Sequence, residues 1–215
     1  MRNRFDEQLE QLNVGLIKMG ALCEESIACA VKALFDEKTS EMIAKVNDNE
    51  EETDHMEHDI EALCMKLLLH QQPVAKDLRC VSSALKMISD MERIGDQAAD
   101  IAEITRHIGS TQLPARSHIG EMARAAVKMV TDSVDAYVRQ DLSLARAVIE
   151  YDDVVDEAFC RVKGTLIAMI AQNTADGEYA LDLLMIAKYF ERIGDHAVNI
   201  AEWVEFSVTG EHKSD

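Results

Sequence analysis

The chain has 215 residues, 47% of them apolar, which is enough for a real core and excludes a disordered polymer. Its formal charge of −18 repels nucleic-acid phosphates and anionic membrane surfaces, and favours cations or basic partner surfaces. Two prolines, nine glycines and a wealth of Ala, Leu, Glu, Lys and Met describe long helices and exclude sheets.

From Phe5 to Phe35 apolar residues recur at spacings of three and four, as Phe5, Leu9, Leu12, Leu16 and Met19 show. Gly15 and Gly20 weaken this first helix but permit close packing. Lys38-Thr39-Ser40 reads as a turn, with Thr39 or Ser40 as N-cap. A second helix is predicted from Ser40 to Gln71, strongly acidic between Asp48 and Asp59. Pro73 breaks it and suits the opening of the next helix. The third helix is predicted from Ala75 to His107.

Gly109-Ser110-Thr111-Gln112-Leu113-Pro114 is the clearest linker. It divides the chain into halves at 1–109 and 110–215. Helices are then predicted from Ser117 to Arg139, Leu142 to Ala171 and Glu178 to Val208, with Asp141 as an N-cap and Gly210 as a C′ residue. Asn173 to Gly177 forms the last turn. The fold class is all-α: two pseudo-symmetric three-helix bundles made of six long antiparallel helices.

The five cysteines, Cys23, Cys29, Cys64, Cys80 and Cys160, are widely spaced and odd in number. That fits reduced thiols, mostly buried, and neither a disulfide scaffold nor a thiolate zinc site. No apolar run approaches the roughly 18–20 residues that span a bilayer. The start of the chain lacks a signal-peptide core. A soluble, cytoplasmic protein without membrane insertion is expected.

The third helix carries Glu92-Arg93-Ile94-Gly95-Asp96-Gln97-Ala98-Ala99-Asp100-Ile101-Ala102-Glu103. Ninety-nine residues later the sixth carries Glu191-Arg192-Ile193-Gly194-Asp195-His196-Ala197-Val198-Asn199-Ile200-Ala201-Glu202, identical at nine of twelve positions. With a helical turn of about 100° per residue, Glu92, Asp96, Asp100 and Glu103 fall within about 80° of one another. Ile94, Met91, Ala98 and Ile101 make the opposite, apolar face. Gly95 and Ala99 lie between the two and let a neighbouring helix come close.

Like charges at this spacing cost a helix a few tenths of a kcal/mol per pair. The stripe is either solvated or a binding surface for hard cations such as magnesium, manganese, calcium or iron. The middle helices offer matching pairs, Glu50 with Asp54 and Asp152 with Asp156. His58 and Cys160 continue these stripes, as accessory ligands or as a surface histidine and a core cysteine. Arg93 and Arg192 read as structural ion partners of the acids. Lys76, Asp77 and Arg79 read as a capping and inter-helix pairing cluster or as part of a partner surface.

On Pro73-Val74-Ala75-Lys76-Asp77-Leu78-Arg79, the two Glu-Arg-Ile-Gly-Asp motifs and the ending Val208-Thr209-Gly210-Glu211-His212, the chain resembles the PhoU family of phosphate-transport regulators. The resemblance covers essentially the whole length. It implies multinuclear metal clusters, iron or zinc in some members. By position, one cluster would use Glu50, Asp54, Glu92, Asp96 and Asp100. The other would use Asp152, Asp156, Glu191, Asp195 and Asn199. Asn199 departs from the pattern and brings no charge, so the second site is expected to be weaker or to hold fewer ions. Glu50, in place of the shorter Asp, is a milder departure.

The resemblance further implies a dimeric, non-enzymatic adaptor between the ATP-binding subunit of the phosphate ABC transporter and a sensor histidine kinase. Such a protein restrains phosphate uptake and phosphate-starvation genes. The alternative is a metalloenzyme, an oxidase or phosphohydrolase with a carboxylate-bridged centre. A ferritin-like di-iron site wants Glu-x-x-His on two helices, and here only Glu52-Thr53-Asp54-His55 fits. No glycine-rich phosphate loop or nucleophile elbow is present.

Overall fold

A computed structural model describes residues 2–35, 39–71, 73, 75–108, 116–172 and 177–211. Among them the helices are α1 (Arg2–Phe35), α2 (Thr39–Gln71), α3 (Lys76–Thr105), α4 (Arg116–Arg139), α5 (Leu142–Gln172) and α6 (Gly177–Thr209). The predicted helices are all present, with ends shifted by three residues or fewer. The linker at 109–114, Lys38 and turn residues 173–176 lie outside the described residues, as does His212.

The helix ends follow local chemistry. Asp141 caps α5: its Oδ1 accepts from the Ser143 and Leu144 amides at 2.9 and 3.0 Å. Gly210 takes φ 79°, and its amide donates to the Phe206 carbonyl at 2.8 Å, which closes α6 as expected of a C′ glycine. The start of α3 differs from the prediction. Pro73 stands outside the helix, and Ala75, at φ 46°, occupies the N-cap without a side-chain cap bond. The turn places a non-glycine residue in the left-handed region, which the proline could not have announced. At the start of α2 the Thr39 hydroxyl donates to the Ala33 carbonyl of α1, at 3.1 Å.

Within each half the three helices pack on one another. Between halves α3 lies on α6 and α1 on α4. The apolar stripes therefore merge into one core, running from Leu16 and Met19 through Ile94 and Ile101 to Val130, Phe190 and Ile200, all buried. Burying each of these large side chains stabilises the fold by about 1.5–3 kcal/mol. Gly15 and Gly20 do permit close approach. A β-carbon at Gly15 would lie 3.2 Å from Ile60 Cγ1, and one at Gly20 3.1 Å from Val134 Cγ2. Thr131 of α4 donates to Glu24 Oε1 of α1 at 2.8 Å, a polar tie beside that contact.

Among the described residues no helix is long and apolar enough to cross a membrane.

Candidate functional site

In the first half, the missing side chain of Gly95 brings α2 against α3. A β-carbon there would meet Thr53 Cγ2 at 3.5 Å. Thr53 is buried, with its hydroxyl turned back to the Asn49 carbonyl at 2.7 Å, so its methyl faces the glycine. This contact holds the acidic edges of the two helices together. Carboxylate oxygens of Glu50, Asp54 and Asp96 lie within 4.8 Å of one another, and all three residues are half-buried.

Burial raises the pKa of Glu50, and the charges of Asp54 and Asp96 raise it further. Burial also raises Glu92, helped by Asp96. Asp96 is raised by burial, although Arg93 pulls it back down. Arg93 bridges the ladder from outside, 3.3 Å from Glu92 and 2.9 Å from Asp96. It is the structural ion partner anticipated. Being mostly exposed, it offsets only part of the repulsion.

The second half repeats the arrangement with different contacts. A β-carbon at Gly194 would lie 3.2 Å from Asp152 Oδ1 and 3.6 Å from Val155. Burial pushes the Asp152 carboxyl up to about 6, with Asp156 and Asp195 adding repulsion. Burial and then Glu191 raise Asp195. Glu191 itself is ion-paired with Lys188. The repeat places Ser89 at the position of Lys188, and Ser89 donates to Glu57 Oε1 at 3.1 Å. Among the described residues, no group of three carboxylates in this half closes as tightly as the first. Lys188 is the functional residue that the sequence reading missed. The signal was available: three residues before Glu191, it falls about 60° away, inside the acidic stripe.

Asp100 and Asn199 are turned elsewhere. The Tyr189 hydroxyl of α6 is hydrogen-bonded to Asp100. The Asn199 amide donates to Asp90 Oδ1 of α3 at 3.0 Å, and His196 Nδ1 meets the same oxygen at 2.9 Å. Asp100 still stands close enough to Asp96 to raise it. His58 is exposed, its Nδ1 2.8 Å from the Asp54 carbonyl. Cys160 is exposed rather than part of the core, while Cys23, Cys29 and Cys64 are buried as expected. Its stripe faces solvent beside Asp156 and Glu157. Arg192 lies over the Tyr189 ring, 5.8 Å from its centroid.

Arg79 reaches from the start of α3 to the end of α6, where its Nε donates to the Ser207 carbonyl at 3.4 Å and its guanidinium covers Gly210. This contact ties the start of α3 to the end of α6.

The donor set of the first cluster suits a hard cation. Three half-buried carboxylates converge there, with burial and neighbouring charge raising the proton affinity of Glu50 and Asp96, and hard divalent ions take oxygen ligands of this kind.

Comparison with known proteins agrees with this architecture. The model of the PhoU domain matches twice, at residues 16–105 and 119–204. Over 213 residues the chain is 34% identical to the phosphate-specific transport system accessory protein PhoU homolog of Clostridium acetobutylicum, covering 97% of this chain and 96% of the relative. The crystal structure of PhoU from Pseudomonas aeruginosa superposes with a TM-score of 0.90 at 32% identity, covering 96% of this chain and all of that one. The phosphate transport system regulatory protein PhoU from Streptococcus pneumoniae gives 0.86 at 26% identity over 98% of this chain and all of that one.

Proposed function

Because the chain belongs to the PhoU family, we infer that it is an accessory protein of phosphate-specific transport which acts as a metal-binding adaptor and not as an enzyme. It works in the cytoplasm, as a homodimer. It engages the ATP-binding subunit of the phosphate ABC transporter and the sensor histidine kinase of the phosphate response. Through them it restrains phosphate uptake and the phosphate-starvation genes.

The observation that carries the metal reading is the convergence of Glu50, Asp54 and Asp96 from two helices. These residues would hold the ion, with Glu92 at the edge of the group. Asp152, Asp156, Glu191 and Asp195 would hold the second. Iron, zinc, manganese and magnesium are the candidates. A bound cation would supply charge neutralisation between α2 and α3, and between α5 and α6. The chain's own residues supply hard oxygen donors, a glycine contact that sets the helix separation, and Arg93 on the solvent side.

Two measurements test the reading. Metal content is determined on protein purified without a histidine tag, for wild type and for the pair Asp96→Ala with Asp195→Ala. Equal trace metal in both would end the metal reading. Co-purification with the transporter's ATP-binding subunit and with the kinase tests the adaptor. Catalytic turnover of phosphate esters or oxygen by the metal-loaded protein would replace it with the enzyme.

A further inference from the structure

Each half carries a groove between the first and second helix of its bundle. Their chemistry is opposite. The α1–α2 groove, 380 Å³, has an apolar floor that includes Val14, Ile60 and Leu63, with Glu10 and Asp59 outnumbering Lys18 at its rim. The α4–α5 groove, 410 Å³, is lined by Arg124, Lys128 and Arg161 against the single carboxylate of Glu121. Within the lining, cations outnumber carboxylates three to one in a chain of net charge −18, while Asp132 and Glu157 pair with Lys128 and Arg161 from just outside it. The shared fold does not demand cations between these two helices, since the α1–α2 groove has none in excess.

The cations are available. Arg124 is exposed and makes no ion pair among the described residues; its Nη1 lies over Gly120, whose missing side chain leaves room for it. Among the described residues Arg161 makes only long ion pairs, 3.4 Å to Glu121 and 3.7 Å to Glu157, both at exposed positions. Lys128 is paired with Asp132 and leans over the Tyr151 ring, 5.0 Å from its centroid. Exposed pairs of this kind are worth at most about 1 kcal/mol and yield readily to a stronger anion. Arg124 and Lys128 stand one turn apart on α4, about 6 Å along the axis, and Arg161 faces them from α5. That layout matches an extended polyanion better than a single compact one. Arginine forks bind phosphate oxygens in pairs, with lysine adding a point charge. Val154 and Ala158 leave an apolar wall beside the cations.

We propose that the α4–α5 groove is a binding site for a linear di- or triphosphate, held by Arg124, Lys128 and Arg161. The phosphate chain can belong to a nucleotide or to an inorganic polyphosphate, and recognition of the chain is common to both. The site does not depend on the carboxylate clusters holding metal.

The test is titration of the intact chain, in chelator-treated buffer, with ATP, inorganic tripolyphosphate and inorganic phosphate, followed by calorimetry and amide NMR. Saturable binding is expected, with tripolyphosphate or ATP well ahead of inorganic phosphate and shifts clustered on α4 and α5. The exposed double variant Arg124→Ala with Arg161→Ala should weaken it at least about tenfold, since charge-assisted hydrogen bonds are the strong ones. Equal affinity for ATP and tripolyphosphate identifies the phosphate chain as the ligand; preference for ATP adds a base contact on the apolar wall. Absence of saturable binding, equal affinity for inorganic phosphate, an unaffected double variant, or shifts confined to other helices would each overturn the proposal. Circular dichroism on the variant checks that the fold is kept.

Discussion

Asn199 donates its side-chain amide to Asp90 across 3.0 Å, from α6 to α3. Displaced by one repeat, the same two positions hold Tyr189 and Asp100, and these are hydrogen-bonded as well. The contact between the halves is thus built twice from one pattern, with the donor on α6 in both cases and different chemistry in each. The inequality of Asp100 and Asn199 is an inequality in how α3 holds α6. In the first cluster Asp100 adds its charge beside Asp96.

Asp90 is the hub of one of these contacts, because a single oxygen receives both His196 and Asn199. Asp90→Ala is expected to destabilise the chain by about 0.5–1.5 kcal/mol, as the half-buried His196 and the exposed Asn199 lose their shared acceptor. Asp90→Asn should recover part of that loss through its remaining carbonyl. Urea denaturation of the three proteins measures both effects.

The raised Asp152 carboxyl sets a pH dependence. Its folded pKa, about 6, lies above the ordinary carboxylate value of 3.8, so the folded chain binds the extra proton between these limits. In metal-free protein this group makes stability fall as pH rises from 3.8 to about 6, with the full penalty present above that. Asp152→Asn should therefore raise stability at pH above 7 by on the order of 1 kcal/mol, after allowance for solvent screening, and bring little below pH 4. Thermal melts of both proteins across that range read the difference.

The two motif glycines should respond differently to alanine. At Gly95 the nearest atom would be 3.5 Å away, an ordinary contact. Gly95→Ala is expected to be neutral or to stabilise by up to about 1 kcal/mol, through helix propensity. At Gly194 the new methyl would stand 3.2 Å from Asp152 Oδ1. The carboxylate must turn aside, so Gly194→Ala should show no such gain and should disturb the second cluster. Melting temperatures and the titration of Asp152 by NMR separate the two cases.

Lys188 competes with any cation for Glu191. Lys188→Ser, which installs the residue found at the repeat position, should strengthen manganese binding in the second half by about tenfold, the ratio that corresponds to one lost like-charge contact of about 1.4 kcal/mol. Ser89→Lys should weaken the first half correspondingly. Manganese titration by calorimetry or paramagnetic relaxation distinguishes the sites. Unchanged affinity in both variants would remove Lys188 from the account.

Local order was legible in the residues themselves. Apolar spacing set the helices, Asp141 and Gly210 marked ends that the structure closes as expected, and the acids of Glu92 and Asp96 shared one stripe because an α-helix repeats near every fourth residue. The repeat made the halves alike. What no spacing within one helix encodes is its rotation and shift against another. Only packing decided that Thr53 meets Gly95 while Asp152 meets Gly194, that Asn199 reaches Asp90 and that Cys160 faces outward. Those contacts join residues up to 109 positions apart, and their geometry follows from how two apolar stripes bury one another, a property of the assembled core.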